Sequence, residues 1–83
     1  MESIIIEIVL GNTGQCVEFM LPAHVPIASL VQDIARLIEQ VHLTVAFDKD
    51  AIALLDMEKG NLLCMEWTFA QNKVLDGSRL MIL

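Results

Sequence analysis

Apolar and polar residues alternate along the first twenty positions in a way that specifies strands. In "SIIIEIVL" (3–10), Ile4, Ile6, Ile8 and Leu10 share one face and Ile5, Glu7 and Val9 the other. "GNTG" (11–14) collects residues that tolerate turns, and "QCVEFML" (15–21) resumes the alternation. Val17, Phe19 and Leu21 fall on one face there, and Cys16, Glu18 and Met20 on the other. Two such runs around a Gly-Asn turn predict a β-hairpin. "PAHVP" (22–26) stops the second strand, and the period changes after it. Ile27, Leu30, Val31, Ile34, Leu37, Ile38 and Val41 recur at three and four residues, which predicts one amphipathic helix over 27–41. No polar N-cap precedes it, so Pro26 supplies the start signal.

The second half is less regular. "HLTVAFDKD" (42–50) reads as a link, with a short strand or an extended loop at 44–47. "AIALLDM" (51–57) and "LLCMEW" (62–67) read as strands around a turn at "EKGN" (58–61). "TFAQNKV" (68–74) reads as a compact crossover, with room for one 3₁₀ turn. "DG" (76–77) turns the chain into a last strand, "SRLMIL". One helix cannot cover a sheet on both sides. The order therefore predicts an α+β roll of the β-grasp kind, a mixed sheet of four to five strands with the helix across one face. The last strand then lies beside the first, with Leu80 and Ile82 in the core and Met81 facing outward with Ile5. No linker or repeat interrupts residues 1–83, which read as a single domain.

Composition narrows the function. The chain is 55% hydrophobic, more than an average domain of its size carries. The net charge is −6, and its five basic residues, Arg36, Lys49, Lys59, Lys73 and Arg79, are scattered. Nucleic acid and anionic lipid require clustered cations, so neither is an expected ligand. No apolar run is long enough to span a membrane, and Glu2 stands where a signal peptide needs basic residues. A cytoplasmic protein without direct membrane insertion is expected.

Chemistry is sparse. Cys16 and Cys64 stand 48 positions apart, and His24 and His42 have no ligand spacing, so no metal, disulfide or cofactor is expected. Cys16 with either histidine is the one formal nucleophile–base pairing, and no orienting third group accompanies it. Asp48/Asp50 and Asp56/Glu58 read as charged loop edges. No catalytic residue is expected. Binding remains. Ile5, Val9, Met20 and Met81 all fall on the phase that faces away from the helix, where an antiparallel sheet is ordinarily polar. They are the candidate protein-interaction face, for a partner or for a second copy of the chain.

Several stretches carry a resemblance. "TFAQNKVLDGSRLMIL" resembles the ending of ubiquitin-like proteins. "LPAHVPIASLV", and "KGNLL" followed by "VLDGSRLMIL", are similar to the bacterial YukD/EsaB branch. The resemblance covers essentially the whole chain. It implies a cytoplasmic accessory or regulatory protein of the type VII secretion system of Gram-positive bacteria, which exports small helical-hairpin proteins of the WXG type. Its implied partners are the membrane and ATPase components of that machine, which would recruit it to the inner face of the cell membrane. Conjugation and sulfur transfer need a flexible Gly-Gly end, and this sequence closes on "RLMIL", so a non-conjugated module is expected. An obligate homodimeric structural subunit, or an adaptor unrelated to secretion, is the alternative.

Overall fold

The computed structural model describes residues 2–11, 13–42 and 44–83. Asn12 of the expected turn and Leu43 of the expected link lie outside the described residues. The elements are β1 (Ser3–Leu10), β2 (Cys16–Pro22), a 3₁₀ turn (Ile27–Ser29), α1 (Val31–Val41), β3 (Leu54–Asp56), β4 (Asn61–Leu62) and β5 (Arg79–Ile82). They form one five-stranded sheet in the order β2-β1-β5-β3-β4. β1 and β5 run parallel, and the other neighbouring pairs are antiparallel. This is the mixed sheet with one helix that the alternation predicts.

Period-two placement decides the core. Ile4, Ile6, Ile8 and Leu10 are buried, as are Leu80 and Ile82, which lie opposite Ile8 and Leu10 in the parallel ladder. Ile27, Val31, Ile34 and Ile38 close over this face together with Phe69.

The helix differs from the expected span. A 3₁₀ turn occupies 27–29, and α-helix begins only at Val31. Pro26 offers no side-chain cap. The first amides instead donate to a distant loop, Ile27 N–H to the Trp67 carbonyl (2.9 Å) and Ala28 N–H to that of Met65 (2.8 Å). Those tertiary acceptors pull the opening residues off the α-helical path. The buried line on α1 is Val31, Ile34, Ala35 and Ile38. Leu37 lies more than a quarter-turn round from it and Val41 sits in the last turn, so both are exposed rather than core.

Two strands are shorter than the alternation predicts. β3 keeps only Leu54–Asp56 of 51–57, and β4, Asn61–Leu62, keeps only Leu62 of 62–67 and takes Asn61 from the expected turn. Beyond Leu63, the Asn72 side chain replaces a strand neighbour: its Oδ1 accepts from Cys64 N–H and its Nδ2 donates to the Cys64 carbonyl, both at 2.9 Å. No strand forms at 44–47, Thr68 makes an isolated antiparallel bridge to Pro26, and 69–73 is built of turns without a 3₁₀ helix.

The 44–50 segment is anchored to α1 by one carboxylate. Glu39 accepts from Phe47 N–H (2.8 Å) and from Lys49 Nζ (2.7 Å). The Lys49 hydrogen bond, then the Phe47 amide, lower the Glu39 pKa below its ordinary value of 4.5. A lowered folded-state pKa stabilises the fold above the unfolded value, and that stabilisation is lost as pH falls through the folded one. Glu39→Gln should therefore flatten the part of the acid-unfolding curve below pH 4.5. Glu39→Ala, which removes the acceptor altogether, should speed amide exchange at Phe47. An unchanged exchange rate there would show that Glu39 does not hold the segment.

Candidate functional site

The side of the sheet away from α1 is organised in rows by strand pairing. One row crosses all five strands: Cys16, Val9, Met81, Leu55 and Leu62 are successive partners. The next holds Glu18, Glu7 and Arg79. Beyond it Met20 pairs with Ile5.

All four residues expected at an interaction face are therefore on this side, but not as one contiguous patch. Val9 pairs with Met81 at one end and Ile5 with Met20 at the other. Ile5 and Val9 are four residues apart on β1, roughly 13 Å. Between them stands the charged row, in which Arg79 Nε donates to Glu7 Oε1 at 2.8 Å. The reason is simple: a face of β1 that reads Ile5-Glu7-Val9 puts the carboxylate in the middle, and the register places Glu18 and Arg79 on either side of it. Exposure also differs from the expectation at Val9, which is only 5% exposed. It lies on a central strand with Cys16 and Met81 on its two flanks. Ile5 is 38% and Met20 70% exposed, and Met81 is half-buried.

Two members of the long row were not among the expected residues. Leu55 is half-buried and Leu62 is 59% exposed, and they pair directly. Alternation against the buried Leu54 and Leu63 is the signal that could have found both.

Glu7 and Glu18 face each other across β1 and β2, an unfavourable pairing that Arg79 relieves from the other side. The Glu7 hydrogen bond, then the Cys16 thiol, raise the pKa of the Arg79 guanidinium further above its already high value. Its charge is thus permanent. Half-exposed as it is, the ion pair adds little stability and sets polarity instead.

Reactive groups are dispersed. His24 Nε2 lies 2.7 Å from Glu2 Oε1, so it is engaged with Glu2. Both cysteines are free thiols. Asp56, the one buried charged residue among those described, is engaged by the amides of Glu58 (3.0 Å) and Lys59 (3.1 Å). Among the described residues, no three His, Cys, Asp or Glu side chains cluster closely enough to hold a metal ion. The arrangement presents an apolar band beside a charged stripe, which suits protein contact.

A family model described as the WXG100 protein secretion system (Wss) protein YukD matches residues 3–82. The chain belongs to the YukD family. Among curated proteins, none matches this YukD-family chain significantly. Solved structures give its fold as ubiquitin-like. The ubiquitin-like domain of the type VII secretion system protein EccD1 of Mycobacterium tuberculosis is 21% identical, with a TM-score of 0.81 over 100% of this chain and 99% of that one. The EccD5 ubiquitin-like domain of Mycobacterium xenopi is 19% identical with a TM-score of 0.82, covering 100% and 94%. A chain of the MycP5-free ESX-5 inner membrane complex is similar at 19% identity and a TM-score of 0.80, and the YukD-family chain spans 21% of its length. No helix among the described residues is long and apolar enough to cross a membrane.

Proposed function

We propose that this YukD-family chain is a non-catalytic protein-binding component of a WXG100 secretion system. It works on the cytoplasmic side of the cell membrane, where it engages the membrane or ATPase components of the machine. The family match over residues 3–82 carries the reading. Further support comes from the ubiquitin-like domains of EccD proteins, which share the fold, and from a chain of the ESX-5 inner membrane complex, part of which is similar to this one. The contact surface is the side of the sheet away from α1. Its Val9–Met81–Leu55–Leu62 row is the broader apolar band, and the Ile5–Met20 pair is a smaller one beyond the charged stripe.

Two substitutions test the face from its two ends in a strain that exports WXG100 proteins and lacks its own copy of the gene. Leu62 and Ile5 are both exposed, so Leu62→Glu and Ile5→Glu should each change stability by only about 0.5 kcal/mol. Leu62→Glu should abolish capture of the membrane complex and reduce export to the level of the deletion. Ile5→Glu should act more weakly. The reverse order would move the contact to the Met20–Ile5 end. Two folded variants that both restore full export and capture would remove this face from consideration.

A further inference from the structure

The sheet has two edges, and they are not alike. β4 exposes an edge of two residues. β2 exposes seven, "CVEFMLP", with Glu18 as its one charged side chain. Exposed edges are ordinarily guarded by lysines, bulges, inward-pointing charges or mere shortness, because unpaired backbone groups recruit another strand. β2 has none of these beyond the proline at its end.

The hydrogen-bond phase shows which groups are free. Leu10 N–H donates to the Gln15 carbonyl (2.8 Å) and Ala23 N–H to that of Glu2 (3.0 Å). In the β1–β2 register the bonded positions of β2 are therefore Val17, Phe19 and Leu21. Cys16, Glu18 and Met20 turn both N–H and C=O away from the sheet, and Pro22 turns out its carbonyl. Val17, Phe19 and Leu21 belong to the helix-side face but are only half-buried, since no strand flanks them on the outer side.

We propose that β2 pairs with β2 of a second copy of this chain, antiparallel about a two-fold axis at Phe19, joining two five-stranded sheets into one of ten strands. The register follows from the free groups and the charges. With the axis at Phe19, Glu18 lies opposite Met20 of the second copy and Cys16 opposite its Pro22. Glu18 N–H bonds the Met20 carbonyl, Met20 N–H the Glu18 carbonyl, and Cys16 N–H the Pro22 carbonyl. Every outward donor of β2 is used, and proline sits where only an acceptor is required. Shifting the axis to Glu18 sets two carboxylates opposite each other, and shifting it to Met20 leaves Cys16 without a partner in the strand. At the axis the two Phe19 rings meet as a close, non-bonded pair and cover each other's exposed edges. The contact uses the backbone edge of β2 and leaves the Val9–Met81–Leu55–Leu62 row untouched, so it shares only Cys16, Glu18 and Met20 with the outer side of the sheet described above.

The mass in solution, measured by sedimentation equilibrium over a range of concentrations, tests the pairing. Wild-type protein should reach twice the chain mass. Met20→Pro removes an outward donor without disturbing the β1 ladder, and proline is tolerated on such an edge. It should therefore halve the mass while keeping the wild-type far-UV spectrum. In a Cys16→Ser, Cys64→Ser background, Phe19→Cys should cross-link to itself on mild oxidation, because residues paired at the axis lie within disulfide reach. Val17→Cys in the same background should not, since its opposite number is Leu21. If Met20→Pro does not fold, the cross-linking pair decides the question alone. A wild-type protein of single-chain mass at all concentrations overturns the proposal. So does a dimer in which Phe19→Cys cross-links no faster than Val17→Cys.

Discussion

Leu80→Ala should lower stability by about 2–5 kcal/mol, the largest effect expected of any single substitution in β5. Leu80 is fully buried and lies between Ile8 on one flank and Asp56 on the other. β5 is the middle strand of the sheet, so a cavity there is lined by β1, β3 and the helix-side core, and none of these can move in without breaking a ladder. Domains of this kind have about 5–15 kcal/mol in total, so the loss is a large share of what holds the fold. At 4–8 °C per kcal/mol, the melting temperature should fall by roughly ten degrees or more. Urea titration of wild type and variant checks it. A melting point within a degree or two of wild type would mean that the β5 side chain does not fill the core.

Asn72→Ala should cost about 1–3 kcal/mol, although no hydrophobic surface is lost. The Asn72 amide makes three hydrogen bonds, accepting from Cys64 N–H and donating to the carbonyls of Cys64 and Thr68, each at 2.9 Å. All three partners are part-buried backbone groups in the segment that follows β4, and of them Cys64 N–H depends on Asn72 alone. Alanine leaves Cys64 N–H unpaired, whereas the Cys64 carbonyl keeps Trp67 N–H and the Thr68 carbonyl keeps the residue 72 amide, both at 3.1 Å, and an unpaired part-buried donor costs more than a hydrogen bond gains. Asn72→Asp should fare no better, because a carboxylate can accept from Cys64 but would face two carbonyls with no donor. Thr68→Ala is the contrast. Its hydroxyl accepts one exposed bond from Gln71 N–H (3.0 Å), and its loss should cost under about 1 kcal/mol. Equal unfolding midpoints for Asn72→Ala and wild type would show that the crossover is held by its apolar residues alone.

The contrast between Leu80 and Asn72 marks the limit of what alternation can reveal. Leu80 is legible because a strand repeats every two residues, so the buried neighbours in "SRLMIL" and "SIIIEIVL" follow from local order. The same rule placed Ile5, Val9, Met20 and Met81 on one side of the sheet. It could not show that Glu7, Glu18 and Arg79 divide them, because adjacency across strands depends on register between segments up to 72 positions apart. Nor could it show that Val9 is covered, since burial at a strand centre comes from the strands beside it. Leu37 and Val41 fit a helical stripe by spacing, yet the sheet meets only the line through Val31, Ile34, Ala35 and Ile38.

By itself the sequence determined the class of fold, the two strands of the first hairpin, the one helix, the burial of the last strand and the family. Each rests on local periodicity or on motif order along the chain. Tertiary structure alone decided where the helix starts, because Pro26 has no side-chain cap and the carbonyls of Trp67 and Met65 take the first amides. It alone cut β4 short, by substituting the Asn72 side chain for a strand neighbour at Cys64. It also left β2 as the long open edge, because which strand ends a sheet is set by the order β2-β1-β5-β3-β4 and not by anything β2 carries. In the first two cases the backbone is satisfied by groups outside its own element, in the third no strand takes the outer groups, and neither outcome leaves a periodic trace in the local sequence.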